Sequence, residues 1–335
     1  MLKTLKKIFK LDKEKFKVPR SVQDIIPVKA IWEDGIFLVG KNKYSKSFKF
    51  LDINYAVASK EDKEALFLDY SEILNSLDTG ATTKITINNR RINKLDFEKR
   101  ILLKDTNDNL DKYRKEYNQM LISQAKNANE IVQEKIITIS VYKNSIEEAR
   151  NYFTRAYAEL TNHFNSLGSK CIELDNFKDF VCPDTVEFEK DYFKLGNRYG
   201  RVLFLKEYAS YINDDMVSEL TDLNKNMMLS IDIIPIPMDE AVKEAENRRL
   251  GVETNITNWQ RKQNANNNFS AIIPYDMEQQ RNDSKEFLDD LTLRDQRMFL
   301  VVITVVITDD TKEKLESDTE AIKQITNKNL CQLGV

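Results

Sequence analysis

Histidine is nearly absent from this 335-residue chain, which contains only His163. Most histidine-based catalysis and nearly all zinc chemistry depend on this residue type, so both are largely excluded. The three cysteines, Cys171, Cys182 and Cys331, leave one thiol unpaired in any disulfide scheme, and their spacing matches no metal or redox motif. The sequence also has no recognisable signal peptide, so we expect a reducing cytoplasm as its environment.

A strong net charge and a long apolar run are missing as well. The formal net charge of −3 argues against a general nucleic-acid coat, which would be basic over a whole face. The most apolar stretch, Met298–Thr308, has eleven residues, whereas a membrane-spanning helix needs about 20. Its β-branched content instead predicts a buried central strand that is covered on both faces.

Paired acidic residues are frequent, and such pairs can perform acid–base or metal chemistry when burial separates their pKa values. Every pair falls at the predicted start or end of a helix or strand, where carboxylates cap helices and favour the helix dipole. Capping is the favoured interpretation, and a catalytic pair stays open as the alternative. The pairs are Asp214-Asp215, Asp239-Glu240, Asp289-Asp290 and Asp309-Asp310.

The stretch GIFLVGKN, residues 35–42, has the pattern G-x-x-x-x-G-K of a phosphate-binding loop. The position after the lysine should carry a hydroxyl for magnesium, but Asn42 stands there. Backbone N–H groups must curl around a phosphate, and the β-forming residues Ile-Phe-Leu-Val do not allow this. The next predicted element is a strand, not the helix that a phosphate site requires. We therefore predict a β-hairpin.

The first twenty residues form a basic arm with eight Lys or Arg against two acids. Helical spacing places apolar residues on one side and lysines around them, which is typical of a helix that lies on an anionic membrane or docks on a partner. A solvated arm that ends at Pro19 is the alternative. The contact candidates are Leu5, Ile8, Phe9, Lys3, Lys6, Lys7 and Lys10, with Leu2 on the same apolar side.

The order strand, helix, strand, helix, strand, helix occurs twice along the chain, which predicts an α+β fold of two mixed α/β halves with mostly antiparallel or mixed sheets. We divide the chain into the arm (1–20), a first half (21–170), a connecting segment (171–200) and a second half (201–335). The predicted first-half elements are strands at 25–32, 35–40, 47–53, 84–88 and 136–142 and helices at 60–77 and 107–132, with a third helix capped by Ser145. Those of the second half are strands at 201–208, 228–234 and 298–308 and helices at 214–225, 239–265, 275–291 and from about 310.

The segment Val252–Arg281 is unusually rich in Asn and Gln. Within it, Trp259 is close to Arg261 and Lys262, a combination that can stack on a nucleic-acid base or contact a protein partner. A polar helix end that runs into a loop is the simpler alternative. A single-stranded nucleic-acid-binding module is therefore a second functional hypothesis.

Many short segments together resemble one family, the large traffic ATPase of type IV secretion and conjugation (CagE/TrbE/VirB), in its branch from Gram-positive conjugative elements. The resemblance extends from about Ser21 over almost the whole chain and concerns the family's N-terminal domain only. The segments are SVQDIIPVKAI, LDINYAVASKED, LNSLD, ITINNRRIN, RKEYNQM, RVLFLKEYASYINDDM, MMLSIDIIPIPMDEA, ETNITNWQRKQNANNNFSAIIPYDMEQQR, LRDQRM and DTEAIKQITNKNLCQL.

The resemblance implies a docking and assembly domain that links a cytoplasmic hexameric motor to inner-membrane channel components during DNA transfer. It implies a peripheral location at the inner face of the cell membrane, with the channel proteins and the coupling ATPase as partners. Nucleic acid is not an expected partner of this domain. ATP and magnesium would belong to a motor domain that follows this region in the family, and the chain ends at Val335 without one.

No catalytic, cofactor-binding or metal-binding residue of the family can be carried onto this chain, so we expect no enzymatic activity from it. One departure lies between Glu173 and Asp184, where the family has a longer stretch; this suggests trimming or omission around Asn176–Phe177. The alternatives from other classes stay open: the nucleic-acid-binding module, and a free-standing enzyme that uses an acidic pair.

Overall fold

The structure, a computed structural model, describes residues 28–52, 59–76, 78–91, 102–104, 106, 108–127, 131–174, 186–209, 211–212, 214–266, 273–294 and 296–335. Its helices are α1 (Lys60–Ser76), α2 (Asp111–Asn127), α3 (Ile146–Ser166), α4 (Asp214–Thr221), α5 (Met238–Ala265), α6 (Tyr275–Thr292) and α7 (Lys312–Lys328). Its strands are β1 (Ala30–Ile31), β2 (Ile36–Leu38), β3 (Lys43–Phe50), β4 (Ala81–Arg91), β5 (Ile131–Tyr142), β6 (Cys171–Glu173), β7 (Val186–Phe188), β8 (Phe193–Leu195), β9 (Arg198–Glu207), β10 (Met227–Pro235), β11 (Phe299–Asp309) and β12 (Gln332–Gly334).

All twelve strands belong to one antiparallel sheet, in the order β1-β2-β3-β5-β4-β10-β11-β9-β8-β7, with β6 beside β3 and β12 beside β9. The central six strands read β3-β5-β4 and then β10-β11-β9, so their order is symmetric about the β4–β10 pair. Each half has the same chain order: strand, helix, strand, helical connection, strand, helix. The α+β fold of two repeated halves is therefore present, and the halves are related by a pseudo-two-fold axis through the middle of the sheet.

The seam between the halves is a continuous ladder in which Met227 pairs with Asn89 and Ile233 pairs with Thr83. Side-chain contacts reinforce one end of it. Asn89 Nδ2 donates to the Thr221 carbonyl at 2.5 Å, and Gln133 Nε2 donates to Asn89 Oδ1 at 3.2 Å. The buried Asn89 side chain, together with Gln133, thus joins the end of α4 to β4 and β5.

The described helices that pack on the sheet lie on one face, which we call the covered face. Phe48 and Ile137 of the first half are buried beneath Phe153 and Phe164 of α3, and Ile73 of α1 joins this core. The second half has its own core under α4 and α7, made by Leu203, Leu229, Val305, Leu315 and Ile322. Directly paired residues point to the same side of a sheet, so the alternate residues form a second face, which we call the open face.

Side-chain caps define where α3 and α7 begin. Ser145 accepts from the Glu148 N–H at 3.2 Å, and Thr311 accepts from the Lys314 N–H at 3.3 Å. The predicted capping box at Ser145 is confirmed on the serine side, while the Glu148 carboxylate accepts from the N–H of Asn144, one residue before the cap. These contacts satisfy N–H groups that the helix itself leaves without partners.

Several predicted boundaries were wrong. Residues 41–46 were expected to separate the strands predicted at 35–40 and 47–53, but β3 already begins at Lys43, because Tyr44 and Lys46 face the core side and pair with β5. The strand predicted at 84–88 runs from 81 to 91, and the one at 136–142 begins at 131, because β4 and β5 pair with each other along this whole length. Helix α2 is shorter than the predicted 107–132, and its side chains are mostly exposed. The predicted connecting segment contributes β6, β7 and β8 to the sheet.

The expectation for Met298–Thr308 is confirmed in part. Strand β11 is interior, between β10 and β9, and α7 packs on it through Leu315 and Ile322. The expectation that both faces are covered was wrong. Ile303 is 6% exposed on the covered face, whereas Val302 on the open face is 40% exposed. The additional apolar residues belong to a surface patch, which a count of apolar residues cannot distinguish from a second core.

One buried charge anchors α7 to the sheet. The Arg201 side chain is 5% exposed and makes two hydrogen bonds to the Glu316 carboxylate, at 2.9 and 2.7 Å. Its remaining donors reach Thr319 Oγ1 at 2.8 Å and the Asp191 carbonyl at 2.8 Å. The hydrogen bonds from Arg201 hold the pKa of Glu316 below its ordinary value. A buried guanidinium needs this full set of partners, since an unpaired one is strongly destabilising.

Adjacent residues of β11 test the one-sided coverage. Ile303→Ala should lower the free energy of unfolding by about 2–5 kcal/mol, because it leaves a cavity under α7. Val302→Ala, the matched control on the open face, should cost less than about 1 kcal/mol. Urea melts of both variants make the comparison. Equal losses for the two variants would show that β11 is not covered on one side only.

The Arg201–Glu316 pair should contribute a pH-dependent stability. Since the folded-state pKa of Glu316 is lowered, the contribution is present above the unfolded pKa and is lost as pH falls through the folded pKa. Glu316→Gln should therefore cost about 1–2 kcal/mol at pH 7, less than a fully buried pair because Glu316 is half exposed, and the difference from the parent should shrink in acid. Urea melts at pH 7 and pH 3 measure it, with Glu320→Gln as the exposed control on the same helix. A pH-independent difference would refute the assignment.

Candidate functional site

The structure places the predicted Trp259 cluster near the tip of a helical hairpin formed by α5 and α6. The hairpin connects the end of β10 at Pro235 to the start of β11 at Phe299. It therefore has the same place in the chain order as α2, which connects β4 to β5 in the first half. Helix α5 has 28 residues and is therefore about 42 Å long. The seven basic-arm residues, Lys3, Lys6, Lys7, Lys10, Leu5, Ile8 and Phe9, and the suspected trimming site at Asn176–Phe177 lie outside the described residues.

The base of the hairpin is held by a small apolar core. Ala241, Ala245 and Leu291 are buried against Ile236 and Met298, which flank the ends of β10 and β11. Farther along, Arg281 Nε donates to Glu253 Oε1 at 2.7 Å and joins the two helices. Alanines on α5 allow the helices to approach closely, and the ion pair fixes their register. The hairpin is thus a defined arm rooted in the sheet.

A cleft of about 360 Å³ opens between the two helices beyond this ion pair. Ile256 is 4% exposed and forms its apolar floor, and Trp259 is half buried beside it. Lys262 lies on the α5 side of the cleft and Asp276 on the α6 side. Arg261 is exposed next to this cleft, so the structure brings Trp259 and Lys262 together in one cleft and leaves Arg261 outside its lining. The cleft lining is Val252, Asn255, Ile256, Asn258, Trp259, Lys262, Asp276, Met277 and Gln280.

The charge around this cleft suits a protein partner better than nucleic acid. A single-stranded nucleic-acid site needs a basic groove with aromatic platforms. The cleft lining instead holds one cation and one carboxylate, Lys262 and Asp276. The aromatic platform is present, and Tyr275 adds an 80% exposed ring at the start of α6.

The open face carries an apolar patch that sequence analysis did not find, and we call it the open-face patch. It consists of Val202 (44% exposed), Phe204 (41%), Met228 (37%) and Val302 (40%), joined by the half-buried Val306. The register brings them together, since Val306 pairs with both Val202 and Met228. In β9, the exposed Val202 and Phe204 alternate with the buried Leu203 and Leu205. This alternation is the sequence signal of a strand with two apolar faces.

Phe204 is positioned by a glycine on the neighbouring strand. A Cβ atom added at Gly334 would lie 2.7 Å from the Phe204 ring, so the far end of the ring occupies the space over this glycine. Phe193 covers Gly200 in the same way. Aromatic rings over strand glycines help to fix the register of neighbouring strands. The absence of a side chain at Gly334 thus makes room for the Phe204 ring of the open-face patch.

The first-half part of the open face carries several polar pairs beside exposed apolar side chains such as Val132 and Tyr142. Ser45 and Ser140 share a hydrogen bond of 2.6 Å, and Ser47 and Thr138 share one of 2.9 Å. Across the seam, Lys84 pairs with Asp232 at 3.2 Å. Such cross-strand pairs stabilise a sheet. The open face of the first half is thus mixed in character.

The acidic pairs lie near the ends of elements, but α5 follows Pro237 without a side-chain cap and α7 is capped by Thr311, so the expected capping is not seen at these two helices. Asp239 and Glu240 fall in the first turn of α5, and Asp214 and Asp215 begin α4. Asp290 pairs with Arg294 at 2.6 Å, and Asp310 pairs with Arg198 at 3.2 Å. Within the described ranges, no three His, Cys, Asp or Glu side chains are grouped closely enough to hold a metal ion.

The phosphate-loop-like stretch is a hairpin, and this prediction is confirmed. Ile36–Leu38 forms β2, which pairs with β3 from Lys46 to Tyr44. The connecting turn contains Asn42 at φ 57°, and the Val39 N–H donates to the Lys43 carbonyl at 2.9 Å. Its backbone donors are therefore used in the turn and the ladder.

The thiols and the single histidine lie in separate places. Cys171 is buried on the covered face, where burial raises the pKa of its thiol to about 11. Cys331 is fully buried under α7, and its Sγ accepts from the Ala209 N–H at 3.5 Å. His163 is half buried in the last turn of α3. Thiols buried among apolar side chains are unreactive, which favours structural roles for Cys171 and Cys331.

Neither a protein-family model nor a curated protein sequence matches this chain. Among the described residues, no helix has both the length and the apolarity needed to span a membrane.

Proposed function

We propose that this chain is the N-terminal docking and assembly domain of a conjugation ATPase, which links a cytoplasmic hexameric motor to inner-membrane channel components during DNA transfer. The resemblance of many short segments to that family supplies the biological setting. The structural support is the open-face patch, because exposed apolar side chains grouped in the interior of a sheet are typical of a surface that another protein covers.

The placement of the patch favours a protein partner of flat shape. Val202, Phe204, Val302 and Met228 lie on three adjacent strands, which are spaced by about 4.8 Å in a sheet. An element packed on them buries their apolar area, while the polar part of the open face across the seam stays in water. Affinity would come from the aromatic and aliphatic centre of such an interface.

The α5–α6 hairpin supplies a second contact of different character. Its cleft presents a half-buried Trp259 beside Lys262 and Asp276, so it combines an aromatic anchor with both charge signs. Tryptophan is the residue type most enriched among energetically dominant interface positions. A hairpin rooted in the sheet core can transmit a rigid-body movement from a motor to a channel.

Site-specific photo-crosslinking in donor cells tests the proposal. With benzoyl-phenylalanine in place of Phe204, we expect a membrane-fraction adduct that mass spectrometry identifies as a channel protein encoded by the same conjugative element. The control is Tyr113, which is 65% exposed on α2; the same photoprobe there should give no such adduct.

Crosslinking at further positions, and a transfer assay of acidic-pair variants, separate the alternatives. An adduct at Trp259 that nuclease shortens would support the nucleic-acid-binding module instead. Equal adducts at Phe204 and Tyr113, or none in the membrane fraction, would contradict docking through the open-face patch. Transfer that fails only after Asp309→Asn or Asp310→Asn would support an enzyme that uses an acidic pair.

The basic arm should give the chain a salt-sensitive attachment to anionic membranes. Each lysine near such a surface contributes about 1 kcal/mol, so Lys3, Lys6, Lys7 and Lys10 together should hold the arm at low salt. Co-sedimentation with phosphatidylglycerol vesicles should decrease as salt is added and should be absent with phosphatidylcholine alone. A variant that lacks residues 1–20 should stay in the supernatant. If it sediments as the parent does, the arm has no part in membrane attachment.

A further inference from the structure

Helix α1 has an outer side that the first-half core does not use. Ile73 is buried in that core and Leu66 packs against it, so these residues mark the inner side of the helix. Phe67 is 65% exposed and Leu68 is 64% exposed, and both lie away from the inner side, since successive helical residues turn by about 100°. The outer side therefore presents two adjacent large apolar side chains to solvent.

The same side of α1 is acidic. Glu61, Glu64 and Glu72 are exposed, and their spacing of three and eight residues places them on one side of the helix. Lys60 is the counter-charge on this side, but its Nζ lies 4.0 Å from Glu64 and both side chains are well exposed, so the pair is weak. The whole helix has five acids against two lysines. Its exposed apolar residues thus lie in a negative field.

The last turn of α1 approaches cations of the second half. Asn75 Nδ2 donates to Gln296 Oε1 at 3.4 Å, which brings the segment around Gln296 close to this end of the helix. Arg294 is paired with Asp290 at 2.6 Å, and Arg297 also has an interaction partner. The first turns of α1, at the opposite end from these arginines, therefore keep their acidic character.

Among the described helices, α1 alone combines several exposed large apolar side chains with an excess of acids. Helix α2 exposes Tyr113 and Tyr117, but it has four Lys or Arg against two acids. Helix α5 exposes Met238 and Leu250 and has five charges of each sign. Helix α6 is acidic, but its one exposed large apolar side chain is Tyr275 at its first position. The outer side of α1 is thus the helical surface that suits a basic, amphipathic segment.

The basic arm, residues 1–20, is such a segment. It has eight Lys or Arg against two acids, while the whole chain has 51 against 54, so its charge is opposite to that of the rest of the chain. The described chain begins at residue 28, shortly before Trp32, which packs against the same core as Leu66 of α1. Residues 11–27 span about 55 Å when extended. The arm can therefore reach α1 of its own chain.

We propose that residues 2–10 of the basic arm dock on the outer side of α1 in the same chain. The apolar residues of the arm cover Phe67 and Leu68, and its lysines contact the glutamates of α1. The same lysines are predicted to hold the arm on an anionic membrane, so the two contacts exclude each other. Docking on α1 is independent of the proposed function, and only its competition with a membrane rests on the membrane attachment predicted there.

Disulfide trapping in solution tests the contact. Phe9→Cys with Leu68→Cys, in a background with Cys182→Ser, should give a linked monomer under mild oxidation, because docking holds the two positions together. Cys171 and Cys331 are buried. Mass spectrometry should find the two peptides joined. The matched control is Phe9→Cys with a cysteine in place of Met120, which is 45% exposed on the basic helix α2 and should link about tenfold more slowly.

Charge reversal tests the electrostatic part of the contact. Glu61→Lys with Glu64→Lys should slow the linking about tenfold, because two attractions become repulsions. The further changes Lys6→Glu and Lys10→Glu should restore the parent rate. A purely structural role of the two glutamates would not give this rescue.

Vesicles test the competition between the two contacts. Phosphatidylglycerol vesicles should slow the linking, because the arm leaves α1, and phosphatidylcholine vesicles should not. The linked protein should stay in the supernatant with phosphatidylglycerol, whereas its reduced form sediments. Equal sedimentation of both forms would contradict the competition. A reduced form that does not sediment would contradict the membrane attachment, while the trapping result decides the contact with α1 by itself.

Three results would overturn the contact with α1. Equal linking rates for the α1 pair and the α2 pair would show that the arm has no preferred site. A linked dimer in place of a linked monomer would show that the arm reaches a second copy. The third is an equal effect of charge reversal on α1 and of the control reversal Glu278→Lys with Asp283→Lys at exposed positions of α6.

Discussion

The antiparallel ladder between β4 and β10 is the interaction on which the rest of the structure depends. It joins two similar α+β halves edge to edge, from the Met227–Asn89 pair to the Ile233–Thr83 pair. Without it, each half would present a long central strand as an exposed edge, which is prone to uncontrolled pairing with other chains. The buried Asn89 side chain adds a directional contact that ties α4 to this seam. One continuous sheet also makes the two helical layers share a single side.

Because the helices that pack on the sheet cover one of its faces, partner-binding sites are expected on the other surfaces. The covered face is used by the two cores, so partners have access to the open face and to the α5–α6 hairpin. The open-face patch lies on three strands of the second half, and the hairpin takes the place in the chain order that α2 has in the first half. The two halves thus present different surfaces, which suits a domain that contacts more than one partner.

Much of this fold could be predicted from the sequence, because periodicity and caps are local signals. The apolar stripe and Ser145 cap of α3, the boundaries of α5 and α6, and the hairpin at Gly35–Asn42 all follow from short-range chemistry. The order of the strands and the seam could not be predicted, since they depend on pairing between residues more than a hundred positions apart. The coverage of β11 was wrongly predicted for the same reason: Val302 and Ile303 must lie on opposite faces, but both are apolar, and only the packing of distant elements decides which face is covered.

The candidate sites also differ in whether a local sequence pattern could predict them. Trp259 and Lys262 were found from composition, because an aromatic residue beside cations in an Asn-rich helix is a local pattern. The open-face patch arises from residues on three separate strands, so no local pattern indicates it. Phe204 belongs to the patch only because β12 places Gly334 beneath its ring.

The central claim is that one face of the continuous sheet is left uncovered for a partner, and thiol labelling tests it most directly. Val302→Cys and Ile303→Cys place a thiol on either side of β11 at adjacent positions, and the unmodified parent gives the background from its own cysteines. A maleimide reagent under native conditions should modify the cysteine at 302 rapidly and the one at 303 only after denaturation. Equal protection of the two positions would mean that the open face is covered, and equal rapid labelling would mean that α7 does not pack on the sheet.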